Sequence, residues 1–259
     1  MEPFAIFSQN SILAIVGAGG KTSLMFYLSR ALPWNCLLTT TTKVGLGQIQ
    51  QADACVSFEE FQKNPQGHSE LKSIWVSPGL SVAQQKISGF TLEQFSQFAA
   101  AAEGLGRVIL NEADGAHCRH LKAPNATEPV IPVETTHVLN LVGIDVIGEP
   151  LNAENVHRLP EFLAITGGQP GALIDEKMIA RAVLHPLGGF KNAPAGSRKI
   201  LVINQVDSPD RIRRAESLAE LVIHDGGKTA VDQVWLTCLD PQRKPGEKKI
   251  IKTYGTYEN

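Results

Sequence analysis

The stretch SILAIVGAGGKTSLMFYLSRAL, residues 11–32, decides how the rest of the chain is read. An apolar run at 12–16 reads as a buried strand, and a glycine-rich turn follows it. Leu24, Leu28, Ala31 and Leu32 then recur at helical spacing until Pro33 stops the helix. Strand, glycine turn and helix N-terminus in that order make an anion site. Glycines let backbone N–H groups close around a phosphate, and the helix end adds about half a positive charge. The candidate phosphate loop is Gly17, Ala18, Gly19, Gly20, Lys21, Thr22 and Ser23. Lys21 is placed to reach terminal phosphates, and the Thr22 hydroxyl to coordinate Mg2+.

The usual P-loop carries another glycine six residues before its lysine, where this chain has Ile15. What stands is the shorter G-x-x-G-K-T, which resembles the loop of the ATP-binding Mur ligases and folylpolyglutamate synthases. The plain alternative is a strand-to-helix turn with an incidental lysine. The flanking strand and helix favour nucleotide binding.

Composition narrows the setting. A chain of 259 residues forms one large α/β domain or two small ones, and 43% hydrophobic with 19% charged residues marks it as globular. A formal net charge of −2 gives no general attraction for nucleic acid or anionic membrane. No apolar run is long enough to span a bilayer. The first residues lack a basic start and a small-residue cleavage site, so no secretion signal is expected and the cytoplasm follows. Cys36, Cys55, Cys118 and Cys238 form no C-x-x-C pair, which suits a reducing compartment and gives no zinc framework. Cys36 and Cys238 lie in apolar runs and are expected in the core.

Further motifs fall at predicted strand ends. A strand at 36–39 leads to Thr40, Thr41, Thr42 and Lys43, where parallel sheets carry function. Those hydroxyls suit a Mg2+-bound water or a phosphate oxygen; equally, threonine suits a plain strand end. Strands are predicted at 54–57 and 74–77, with an exposed helix and loop over 59–73. Thr91 caps a helix that presents Leu92, Phe95, Phe98 and Ala99 on one face and stops at Gly104 and Gly106. A strand at 107–111 then delivers Glu112 and Asp114. Acids at a strand's carboxyl end resemble a Walker B element, in which a carboxylate holds Mg2+ or orients a nucleophile. The sequence does not separate the roles of the two.

Residues 117–124, HCRHLKAP, are dense in ligands and cations. The spacing of His117, Cys118 and His120 matches no standard zinc pattern, so a solvated basic loop is expected, with Arg119 and Lys122 facing an anionic substrate. Prolines hold 128–132 extended, and 138–143 reads as another buried strand. His157, Arg158 and Glu161 are placed on a short helix, Arg158 pairing with Glu161 at the surface. Asp175 caps a helix that turns Ile179, Val183 and Leu184 inward, and a loop covers 188–196. A strand at 200–203 ends in Asn204, Gln205, Val206 and Asp207, similar to the N-K-x-D motif of guanine-nucleotide proteins with Gln205 in the lysine's place. There the aspartate reads guanine and the asparagine braces the loop. The alternative makes Asp207 the start of a helix over 211–222. HDGGKT at 224–229 repeats the first loop in the wrong structural order and reads as a turn; the tail from 242 reads as a frayed surface segment.

Strands alternating with helices, and motifs at strand C-termini, predict a P-loop NTPase-like α/β fold with a mostly parallel sheet flanked by helices. A single domain over 1–259 is expected, with 124–196 in part an inserted lid or substrate region. In chain order VGAGGKTSLM, TTTTK, NEADGAHCRHLKAP, EPVIP, VGIDVIGEPL, HRLPEF and NQVD resemble the YqeC family of selenium-dependent hydroxylase accessory proteins, regarded as P-loop proteins. The resemblance implies a part in maturing selenium-containing molybdenum hydroxylases. The expected activity is Mg2+-dependent binding of ATP or GTP, with use as an NTPase or NTP-dependent transferase or ligase. Lys21, Glu112, Asp114, Arg119 and Lys122 are its candidate catalytic residues. The loop residues with Asn204 and Asp207 would hold the nucleotide, and Thr22, Glu112 and Asp114 the metal. The partners would be a purine nucleotide and a molybdenum-cofactor hydroxylase or cofactor intermediate, without nucleic acid or membrane. Two alternatives remain: a nucleotide-controlled chaperone for an apo-hydroxylase with negligible turnover, or a scaffold that binds no nucleotide.

Overall fold

The computed structural model of the chain describes residues 3–79, 86–117, 119–226, 230–239 and 249–255. Its first half runs β1 (Ile12–Gly17), α1 (Lys21–Ala31), β2 (Cys36–Thr40), β3 (Lys43–Gly45), α2 (Leu46–Ile49), β4 (Ala54–Ser57), α3 (Phe58–Lys63), β5 (Ser73–Ser77), β6 (Lys86–Ser88), α4 (Leu92–Ala102) and β7 (Val108–Glu112). The second half runs β8 (Leu121–Lys122), β9 (His137–Gly143), β10 (Val156–His157), α5 (Leu159–Thr166), α6 (Glu176–Leu184), β11 (Arg198–Asn204), α7 (Pro209–Gly226), β12 (Gln233–Cys238) and β13 (Lys249–Gly255). Single 3-10 turns occupy Pro3–Ile6 and Ile144–Val146.

Among the described residues nine strands form one sheet in the order β13-β12-β11-β9-β1-β7-β2-β5-β4. Every pairing in it is parallel except β12 with β13. The mostly parallel α/β sheet expected from the sequence is therefore present. Parallel strands covered on both faces need apolar residues at successive positions, and β2 and β9 are buried along their whole length. Leu13 and Ile15 face the cluster that contains Leu24, Met25 and Leu28 of α1. Ala14 and Val16, one residue out of phase, turn to the opposite side with Ala113, Ile131 and Val138. Phe95 and Phe98 of α4 join Phe58 and Phe61 of α3 over Leu37, Ile74 and Ile109. The helix α7 packs with α5 and α6 over Leu201, Ile203 and Leu236.

The strand order puts β1 at the switch of the sheet. From β2 to β7 the chain builds on one side of β1; β9, β11 and β12 then build on the other. In an open parallel sheet the crevice for a ligand opens beyond the strand ends at such a reversal. Within 124–196, β9 holds a central place between β1 and β11, so the parts lying off the sheet are its two flanks.

Several boundaries differ from the sequence reading. The helix α3 exposes Glu59, Glu60, Gln62 and Lys63 as expected, but it begins at Phe58 and buries Phe58 and Phe61. The tail is not frayed over 249–255, where β13 pairs with β12 and Ile250 and Ile251 pack against the core. Residues 240–248 lie outside the described residues, as do 227–229 of the second glycine cluster. Thr40 Oγ1 donates to the Glu112 carbonyl at 2.7 Å and Thr41 Oγ1 to the Val130 carbonyl at 2.7 Å, so these hydroxyls tie loops to strands. Cys36 and Cys238 are core residues, and Cys118 is outside the described set.

Candidate functional site

The turn between β1 and α1 is held from three sides. Ala18 N–H donates to the Leu141 carbonyl and Gly19 N–H to the Arg119 carbonyl, both at 3.0 Å. Asn204, 2% exposed, donates from Nδ2 to the Gly19 carbonyl at 2.8 Å. Its Oδ1 accepts from Thr237 Oγ1 and from Leu239 N–H, each at 3.0 Å. Gly19 and Gly20 adopt φ of 91° and 119°, and a Cβ on Gly20 would sit 2.7 Å from Asn204 Nδ2. A side chain at Gly20 would push against the Asn204 brace, and one at Gly19 would strike the Gly143 backbone.

This anchoring leaves one end of α1 open. Gly20 is its N-cap and supplies no side-chain acceptor. The N–H groups of the first helical turn, at Lys21, Thr22 and Ser23, have no acceptor within their own helix. They begin at the carboxyl end of β1, in the centre of the sheet. That arrangement suits an anion.

Lys21, Glu112 and Asp114 converge there. Lys21 is 6% exposed and donates from Nζ to the Gly17 carbonyl at 2.8 Å. The same Nζ lies 3.2 Å from Asp114 and 3.9 Å from Glu112. The two acids, alike in the sequence, are separated by their contacts. Glu112 Oε2 accepts from Thr22 Oγ1 at 3.2 Å. Asp114 instead accepts the Gly17 N–H at 3.0 Å and pairs with both Lys21 and Lys122. Burial works to lower the Lys21 pKa, but the Asp114 and Glu112 charges overcome it and hold the ammonium above its ordinary value. Burial raises Glu112, and the neighbouring Asp114 charge adds to the rise.

An ion-pair chain continues outward. Lys122 Nζ lies 3.1 Å from Asp114 and 2.8 Å from Glu128, with its side chain 1% exposed. Arg158 closes the chain with a two-pronged contact to Glu128, at 2.9 and 3.0 Å. Burial favours the neutral form of Glu128, but hydrogen bonds from Arg158 and Lys122 hold its carboxyl below the usual range. Lys122 is thus a buried ion-pair member rather than part of a solvated basic loop; sequence spacing cannot show that β8 draws it under Asp114. Arg158 pairs with Glu128 across 30 residues of chain, not with Glu161. It is the left-handed N-cap of α5 at φ 62°, and His157 lies in β10. Next to them the His117 and His157 rings stack at 4.8 Å. Burial, with the Lys122 and Arg158 charges, pushes His157 down to about 4.

On the outer side of the turn, Arg119 gives its carbonyl to Gly19, and among the described residues its guanidinium has no partner. Beside it His120 Nδ1 meets Asp145 Oδ1 at 2.8 Å. Asp207 lies away from the buried cluster, paired with Arg211 at 2.9 Å, and α7 starts two residues later. Glu128 and Asp145 escaped the sequence reading. Neither ends a strand, and the motif phrases that contain them carry no ligand spacing.

Among the described residues no group of three His, Cys, Asp or Glu side chains could hold a metal. The donor set does fit an ion such as Mg2+, which keeps several waters and needs only one or two protein oxygens. Thr22 Oγ1 and Glu112 Oε2, 3.2 Å apart beside the open helix end, are the two oxygens that would hold such an ion.

Fold and site together define a parallel α/β protein in which a glycine turn, a buried lysine and an acidic strand end meet at the switch of the sheet. A family model described as YqeC protein matches residues 13–160. The chain is 34% identical over 234 residues to the protein named "Uncharacterized protein YqeC" of Escherichia coli (strain K12), spanning 87% of this chain and 86% of that one. The chain belongs to the YqeC family. Among the described residues no helix is long and apolar enough to cross a membrane.

Proposed function

We propose that the protein is a Mg2+-dependent purine-nucleotide-binding protein of P-loop type that transfers or hydrolyses the terminal phosphoryl group. The observation that carries this reading is the open N-terminus of α1 at the sheet's switch, with Lys21, Thr22 and Glu112 gathered around it. The first-turn N–H groups and Lys21 hold phosphate oxygens; Arg119 adds a cation at the rim. Thr22 and Glu112 hold Mg2+, which would supply charge neutralisation for a developing phosphate. Asp114 keeps Lys21 charged and orients both Lys21 and Lys122. Asn204 fixes the loop from behind, and Asp207 at the same sheet edge is the residue offered to a purine base. ATP and GTP are both admitted. On the role that the family resemblance implies, this chemistry would serve the maturation of selenium-dependent molybdenum hydroxylases.

One observation favours the second reading, a nucleotide-controlled binding protein. Lys21 is bound to Gly17 and Asp114, and these connect through Lys122 and Glu128 to Arg158 at the start of α5. Drawing Lys21 onto a phosphate would loosen that chain and release a surface remote from the loop.

Calorimetric titration with Mg2+ and ATP or GTP tests the nucleotide reading. Lys21→Ala removes a charge-assisted contact of about 1.5–3 kcal/mol, or roughly ten- to a hundred-fold in affinity. Identical curves for wild type and variant would end it. Single-turnover hydrolysis of the bound nucleotide separates enzyme from binder.

A further inference from the structure

Three segments bear on Gly19: Arg119 through its carbonyl, Gly143 by close backbone approach, and Asn204 through its amide. A Cβ on Gly19 would come within 2.6 Å of the Gly143 nitrogen. Each segment carries, one or two residues on, a member of a second polar group. These are His120, Asp145 and Gln205. His120 Nδ1 is 2.8 Å from Asp145 Oδ1 and 3.4 Å from the Gln205 amide. The His120 carbonyl accepts from Gly143 N–H at 2.9 Å, which locks the residue against the phosphate turn. The three side chains crowd the Gly143 backbone. A Cβ on it would fall on Gln205 Oε1 and lie 3.1 Å from both Asp145 Oδ1 and His120 Cβ. Gln205 itself holds a left-handed φ of 67°, a conformation that costs a non-glycine residue energy and is kept by the structure around it.

The Asp145 carboxylate in ion-pair contact with Nδ1, and the Gln205 Oε1 that can accept from it at 3.4 Å, favour the proton on that nitrogen and leave the lone pair on Nε2. Among the described residues nothing bonds Nε2, and the side chain is 36% exposed. The carboxylates near the turn are all engaged: Glu112 by Thr22 and Lys21, Asp114 by two lysines, Glu128 by Lys122 and Arg158. We propose that His120 Nε2 takes the proton from the acceptor that attacks the nucleotide's terminal phosphoryl group, with Asp145 as its positioning residue. This rests on the nucleotide reading above and adds the acceptor's chemistry to it: a hydroxyl or other weakly acidic group, water being the smallest.

In the step, the acceptor oxygen bonds to the terminal phosphorus and the phosphorus bond to the bridging oxygen breaks, so the nucleoside diphosphate leaves. The acceptor's proton passes to Nε2, and the imidazolium formed is held by the Asp145 charge. The groups facing His120 are Asp145, Gln205 and Arg211. The Asp145 carboxylate against Nδ1 raises its pKa above the ordinary histidine value, in opposition to burial and the Arg211 charge.

Two measurements test this. Carbon-13 NMR of histidine-labelled protein, assigned with His120→Gln, follows the ring of His120 through pH. It should titrate above the ordinary value in the wild type and lower in Asp145→Asn, and it should shift when Mg2+ and a non-hydrolysable ATP or GTP analogue bind. Single-turnover hydrolysis should slow about a hundred-fold in His120→Gln, with analogue affinity and melting temperature kept. The acid limb of its pH profile should move to lower pH in Asp145→Asn. Three results would each overturn the assignment: His120→Gln turning over at the wild-type rate, a His120 resonance undisturbed by an analogue that calorimetry shows bound, or a wild type that binds and never turns over. If calorimetry finds no analogue bound to the wild type, the nucleotide reading itself falls, and that arm tells the two failures apart.

Discussion

Replacing Asp114 with Asn tests the electrostatics at the heart of the site without changing its shape. Asp114 is 3% exposed and serves two ammonium groups, at 3.2 Å and 3.1 Å, as well as the Gly17 N–H at 3.0 Å. Asparagine can still accept from Gly17, so the loss is one of charge. Removing one partner of a buried ion pair costs about 3–5 kcal/mol, because the remaining charge stays buried. Lys21 keeps the Gly17 carbonyl and a more distant Glu112, and Lys122 keeps Glu128 at 2.8 Å. These second partners place the expected loss near the lower limit, about 3 kcal/mol. For a chain of this size that is a fall of roughly 6–12 °C in melting temperature. Urea and thermal unfolding at neutral pH, without nucleotide, measure it. Phosphates bring negative charge to the same lysine, so Mg2+ with the nucleotide analogue should restore most of the lost stability. A loss below about 1 kcal/mol, the worth of an exposed pair, would refute the view that Asp114 neutralises two buried cations.

Other expectations follow from the same geometry. Asn204→Ala strips the brace from Gly19 and leaves the Gly19 carbonyl and the Leu239 N–H without their partner. At about 1–3 kcal/mol for each buried group so stranded, the urea midpoint should drop clearly and nucleotide affinity with it. If Asp207 reads guanine, GTP binds more tightly than ATP and Asp207→Asn erases the difference in calorimetry; a wild type that prefers ATP leaves Asp207 as the Arg211 partner that begins α7. His157 is held at about 4 against an ordinary 6.5, so the native state favours its neutral form. Its contribution to stability is full above pH 6.5 and is lost as pH falls from 6.5 towards 4. Urea midpoints measured through that window should decline less steeply in His157→Gln than in the wild type.

The sheet was legible because its strands are near-continuous apolar runs ended by recognisable turns. Residues 12–16, 107–111, 138–143 and 200–203 all lie in β1, β7, β9 or β11 or extend them by one residue. Capping chemistry fixed α4 and α6 in the same way, since Thr91 and Asp175 accept from Gln94 N–H and Met178 N–H. Lysine pairing was not legible. Whether Lys122 faces water or lies under Asp114 depends on β8 pairing with β10, a contact between residues 121–122 and 156–157 that leaves no local periodicity. For the same reason Arg158 was assigned to its near neighbour Glu161 and not to Glu128. The His120–Asp145 contact spans two loops, and the sequence offered only a histidine in a basic phrase. β13 escapes the sequence reading because its short apolar pair, Ile250 and Ile251, sits between lysines at the end of the polar run 241–249.

That last strand has a consequence for how the protein keeps apart from its copies. β12 is buried at all six positions, Trp235 included, and its outer edge is covered by β13 running the opposite way. Lys249 and Lys252 are exposed along the new edge, and Lys252 is tied at 2.8 Å to Glu216 of α7. An edge bearing charged lysines resists pairing with another sheet, whereas a bare apolar edge invites it. Cutting the chain before Lys249 would therefore do more than remove a tail. It would uncover the peptide groups of β12 and wet its apolar neighbours, turning the last parallel strand into a template for edge-to-edge association.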